Sequence, residues 1–207
     1  MRSQAKRSGL VHPASAKKRA VIVPPDVEIA ERYRDWSPPR GVSEGVTRLL
    51  DSAPEQIIWG LDTVVLTNAS GLSHSERRRT LRSRNQNVRL SDCLGLYHRS
   101  RGGGPASIEL FIDNIAAHGG PLFSFRVFRD MMIGEVLFHE LGHHLHSTRL
   151  REFRESEDVA DEWRRRLTNA YMRRRYWYLS PLAWIASPLL RLLVRITGLE
   201  KRFGKVK

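Results

Sequence analysis

The sequence predicts an α+β fold: a small antiparallel sheet packed on a helix carrying His139-Glu140-Leu141-Gly142-His143 and on a following helix carrying Glu157. Three observations predict it. From about Phe125 to Thr148 the apolar positions Val127, Phe128, Met131, Met132, Val136, Leu137 and Leu141 recur at helical spacing, with no proline among them. Before that stretch, Leu94–His98 and Ser107–Ile112 are β-rich runs flanking the Gly-rich connection 100–105, the pattern of an antiparallel hairpin. After it, Val159, Ala160, Trp163, Leu167 and Ala170 form one stripe from about Ser156 to Tyr176, a second helix.

Taken in order, residues 1–42 read as a basic, disordered N-terminal tail, with Arg2, Lys6, Arg7, Lys17, Lys18 and Arg19 among Ser, Ala and Pro. Order is expected from Ser43, with a short helix over Ser43–Leu50 and a further helical turn opened by Pro54 and closed by Gly60. Thr63–Thr67 reads as a strand. Residues 73–90 hold six arginines between Ser and Asn and read as a solvated loop inserted between strands. The hairpin follows, Gly119-Gly120-Pro121 breaks the chain, and the two helices complete a domain over 43–175. Residues 176–207 form an apolar, basic C-terminal tail.

A chain of 207 residues has room for one domain and some appendages. Its formal charge of +13 comes in runs, which suits an anionic partner such as nucleic acid or a phospholipid surface. The one cysteine, Cys93, excludes a disulfide framework and a Cys-based zinc site, and points to the cytoplasm. The N-terminus lacks the apolar run of a secretory signal.

The chemistry concentrates at residues 139–143. Residues four apart share one helix face, so the imidazoles of His139 and His143 can grip one zinc ion with Glu140 beside it. That pattern points to a metal-dependent hydrolase. Glu157 supplies a third ligand on the next helix, and Ala160 lets the two helices approach closely; Glu155 is the rival ligand. Asp161, one turn after Glu157, is placed to hydrogen-bond the far nitrogen of a liganding imidazole. Were 139–157 one straight helix, Glu157 would lie about 27 Å from His139. The chain must therefore fold back, with Ser147-Thr148 as a stop and Ser156 as an N-cap. His144 and His146 read as residues around the site or in solvent, and His146, His118 and Tyr171 are all candidates for an oxyanion donor.

The motif pair H-E-L-G-H…E-x-x-A-D, preceded by a hairpin, resembles the gluzincin metallopeptidases, and among them the compact bacterial ImmA/IrrE-like kind. The resemblance covers roughly residues 43–175. It implies a zincin-like fold, Zn2+ held by His139, His143 and Glu157, and Glu140 as general base. It also implies a protein or peptide substrate added as a strand to the hairpin edge. A non-catalytic zincin scaffold binding DNA, a protein partner or a membrane is the alternative.

The arginines of 77–89, the cluster Arg149/Arg151/Arg154 and Arg164–Arg166 can neutralise phosphates, but no base-reading motif accompanies them, so any nucleic-acid contact is expected to be non-specific. Residues 176–190 are uncharged, too few to span a bilayer, and flanked by Arg173-Arg174-Arg175 and Arg191. They suit a segment lying on an anionic membrane surface, or an apolar tail packed on a protein.

Overall fold

The computed structural model describes residues 27–83, 86–100, 105–148 and 156–179. The N-terminal basic stretch, Arg149, Arg151, Arg154, Glu155, the Gly-rich connection 101–104 and the tail beyond 179 lie outside the described residues. No helix among the described residues is long and apolar enough to cross a membrane.

The chain opens with β1 (Glu28–Glu31), then α1 (Val42–Ser52), α2 (Glu55–Ile58) and β2 (Leu61–Thr67). Next come α3 (His74–Arg77), the hairpin strands β3 (Thr80–Ser83) and β4 (Gln86–Arg89), then β5 (Gly95–His98) and β6 (Ala106–Phe111). Three helices follow: α4 (Ile112–Gly119), α5 (Arg126–Thr148) and α6 (Ser156–Arg175).

The main sheet runs β1-β2-β6-β5. β5 and β6 are antiparallel, Leu96 opposite Glu109, as the hairpin pattern anticipates. The sheet as a whole is mixed rather than antiparallel, because β1 and β6 both lie parallel to β2. Parallel neighbours need long crossovers. Residues 32–60, with α1 and α2, provide one, and residues 68–105 provide the other. The limits of the ordered unit also move outward from 43–175. Glu28–Glu31 pairs with Thr63–Leu66, and Tyr176 is buried in the core.

Residues 73–90 are not a loop. Ser73 and Glu76 form a reciprocal capping box that starts α3, and Leu81 pairs with Val88 in a two-stranded ladder. The charge run hid this, since only those two apolar side chains mark the hairpin.

Helix α5 is the centre of the core. Ile133, Leu137, Phe138 and Leu141 are fully buried and pack with Leu49 of α1, Val64 and Leu66 of β2, and Ile108 and Leu110 of β6. Among them sits Asp130, also fully buried. Arg48 donates to both its oxygens at 2.9 and 3.1 Å, and the hydroxyls of Tyr171 and Tyr176 donate to Oδ2 at 2.8 Å each. One carboxylate thus ties α1, α5, α6 and the segment after α6 together. Proximity to this anion, added to burial, pushes the Tyr171 and Tyr176 hydroxyls up from their ordinary range.

Candidate metal centre

Helix α5 ends at Thr148 and α6 begins at Ser156, so the chain does reverse between the two motifs. The helices lie antiparallel. His143 meets Ser156, His139 meets Glu157 and Asp161, Glu135 meets Arg164, and Asp130 meets Tyr171. The approach is closest at Gly142, where an added Cβ would stand 2.5 Å from Ala160 Cα. Glycine in one motif and alanine in the other are what allow the pair to touch.

This contact brings three donors together. His139 Nε2 and His143 Nε2 are 3.2 Å apart, and Glu157 Oε2 lies 3.6 and 3.8 Å from them. Zinc bonds of about 2.0–2.1 Å at tetrahedral angles place neighbouring donors roughly 3.3 Å apart. The spacing therefore fits one metal ion, and two neutral imidazoles with one carboxylate are a suitable donor set. Burial first, and then the neighbouring His139 ring, hold the pKa of His143 below its ordinary range, which keeps it in the neutral form a metal needs.

The far nitrogens are also held. His139 Nδ1 lies 3.2 Å from Asp161 Oδ1, and His143 Nδ1 lies 2.8 Å from Ser156 Oγ. The Asp161 carboxylate accepts from Nδ1–H of His139, which turns the Nε2 lone pair toward the cluster, and Ser156 holds the orientation of the His143 ring. Asp161 is anchored in turn by Arg164 at 3.5 Å, whose other terminal nitrogen binds Glu135 at 2.8 Å. The arginine that reads as a phosphate contact in sequence is engaged by two carboxylates.

Glu140 is buried next to this cluster. Desolvation, and then the charge of Glu157, push its carboxyl up to about 8, against a hydrogen bond directed at it by the Tyr97 backbone N–H. Gly95 explains how β5 comes so close. A Cβ there would stand 2.6 Å from Val136 Cγ1 and 2.9 Å from Glu140 Cγ. A glycine inside a strand pattern is the local signal for such an approach.

His139, His143, Glu140 and Glu157 open into a cleft of about 1010 Å³, walled on one side by β5 and bordered by Leu81 and Val88 of the small hairpin. Among the described residues β5 pairs only with β6, so it is an edge strand of the main sheet. Asn114 fixes the approach to β5 by donating to the carbonyls of Ser91 and Cys93, at 2.8 Å each.

The remaining candidates separate. His118 and His146 line the cleft. Tyr171 does not, because its hydroxyl is spent on Asp130 in the core. His144 is neither beside the ion nor in solvent; it is fully buried, with Nε2 3.0 Å from the Trp59 carbonyl and Nδ1 3.2 Å from the Tyr97 hydroxyl. That hydroxyl also lies 2.7 Å from Ser147 Oγ, so the network pins β5 to α5.

Comparison of the chain with family models, with curated proteins and with solved structures found no match.

Proposed function

We propose that this protein is a zinc-dependent endopeptidase of the gluzincin type, with a zincin-like arrangement of edge strand and metal-bearing helix. One observation carries the reading. Three donors spaced for one ion converge beside a buried glutamate, in a cleft walled by an edge strand. His139, His143 and Glu157 would hold the metal, with a fourth position left open. Bound zinc supplies a Lewis acid that polarises a carbonyl and acidifies water.

The chain's own residues do the rest. A peptide laid along β5 as an added strand presents its backbone to the cleft. With a cation held beside Glu157, the Glu140 carboxyl returns to its ionised form, in which it takes a proton from the attacking water and delivers it to the leaving amine. Asp161 and Ser156 keep both imidazoles oriented.

The test is metal content and cleavage of an unfolded protein substrate, measured side by side. Glu140→Gln is expected to keep one zinc per chain while cleavage falls by roughly 10²–10⁴-fold, the usual share of a general base. Glu157→Ala and His139→Ala are expected to lose the zinc. If Glu140→Gln cleaves as fast as the parent, the mechanism is wrong. If the parent holds stoichiometric zinc and turns nothing over, the non-catalytic scaffold is the better reading.

A further inference from the structure

We propose that the end of the α5–α6 pair remote from the metal centre docks on an anionic membrane surface. The antiparallel pairing brings the residues before α5 and those after α6 to the same end, where Tyr176 reaches Asp130 and feels the charge of Arg126. Five of the six large apolar side chains exposed among the described residues are at this end: Leu122 and Phe125 before α5, Phe128 in its first turn, and Trp177 and Tyr178 after α6. Phe125 and Trp177 are 62% and 70% exposed, far beyond what a ring left at the margin of a core would show. Two segments distant in sequence thus present aromatic rings that the described residues leave largely uncovered.

Within these two segments the exposed charge has one sign. Arg126 and the run Arg173-Arg174-Arg175 are exposed there, in the last turn of α6 in the latter case. In 120–134 and 163–179 the only acidic residue is Asp130, and it is buried. The chain continues from this end into 180–207, whose sequence adds Arg191, Arg195, Lys201, Arg202, Lys205 and Lys207 against Glu200 alone. Trp and Tyr rings between arginines match the headgroup layer, where an amphipathic ring meets an acyl boundary and a cation meets lipid phosphate. Such a surface also discriminates against a second copy of this chain, which would bring the same positive charge to the contact. Docked this way, the metal centre stands about 20 Å along α5 from the lipid. The inference does not depend on the chemistry at that centre.

The test is flotation of the full chain with vesicles of phosphatidylcholine alone or with phosphatidylserine. The parent is expected to float with the anionic vesicles only, and to be released by high salt. Phe125→Ser/Trp177→Ser should lower the partition by on the order of tenfold for each ring removed. Arg174→Ser/Arg175→Ser should lower it roughly fivefold per arginine. Far-UV circular dichroism and a Tm at the parent level show that these exposed substitutions leave the domain folded. Three results overturn the proposal: no flotation of the parent, equal flotation with neutral vesicles, or parent-like flotation of Phe125→Ser/Trp177→Ser. A dimer that this variant dissociates, without any vesicle binding, assigns the surface to a second copy instead.

Discussion

Replacing Gly142 by alanine tests whether the metal site is set by the contact between two helix backbones. The added Cβ would meet Ala160 Cα at 2.5 Å, its carbonyl oxygen at 3.1 Å and its carbonyl carbon at 3.2 Å. These are backbone atoms of another helix, so no side-chain rotation relieves the clash. Carbon atoms in contact sit about 3.5–4.0 Å apart, so the helices must separate locally by roughly 1–1.5 Å. Glu157 rides on α6 one turn before Ala160, and the same displacement stretches its 3.6 and 3.8 Å spacings to the two imidazoles. A donor set opened by that much no longer closes on bonds of about 2 Å. Zinc affinity is expected to fall at least tenfold, the lower end of the cost of losing a ligand-orienting contact. Overpacking should cost about 1–3 kcal/mol of stability, or about 2–12 °C in Tm for a domain of this size. Competition against a chromophoric chelator and thermal unfolding of the apo and zinc forms give both numbers. Gly134→Ala is the control, since its Cβ is crowded by a side-chain tip, Leu49 Cδ2 at 3.0 Å, meets Phe138 at an ordinary 3.5 Å, and has no backbone of another helix among its nearest neighbours. If Gly142→Ala binds zinc like the parent and melts within about a degree of it, the helix contact does not set the site.

Three further substitutions separate fold, metal and chemistry. Asp130→Ala strips Arg48, Tyr171 and Tyr176 of their shared acceptor and should cost about 3–5 kcal/mol, read by urea unfolding; a loss below about 1 kcal/mol refutes its role as the tie between helices. Asp161→Asn should weaken zinc binding about 10–100-fold while leaving the apo Tm near the parent value, and unchanged affinity would show that His139 needs no orienting partner. Gly95→Ala pushes against Val136 and Glu140, so cleavage should fall at least tenfold at unaltered zinc content. Parent-like turnover there would mean that Glu140 is not held by β5.

What could be read from sequence was local and periodic. The helical recurrence of Val127, Phe128, Met131, Met132, Val136, Leu137 and Leu141 sets the helix on which His139 and His143 share a face, and the need for a third donor leads to Glu157 on the next helix. The parallel pairing of β1, β2 and β6 was not legible, because it depends on how two long crossovers return the chain. Glu28–Glu31, four residues with a glutamate at each end, carries almost no strand pattern of its own. Asp130 was invisible for a related reason. A single carboxylate inside an apolar helical stripe looks like a solvated exception until Arg48, 82 residues upstream, and the two tyrosines, more than 40 residues downstream, are brought to it. The same applies to charge. Arg48 and Arg164 are drawn onto Asp130, Glu135 and Asp161, whereas Arg126 and Arg173–Arg175 are left at the surface among exposed rings. Net charge therefore says little about a partner until the paired arginines are set apart from the exposed ones. Along the helix pair, Arg126, Arg173–Arg175 and the exposed rings of Phe125, Phe128, Trp177 and Tyr178 fall at one end, and the candidate metal donors fall toward the other.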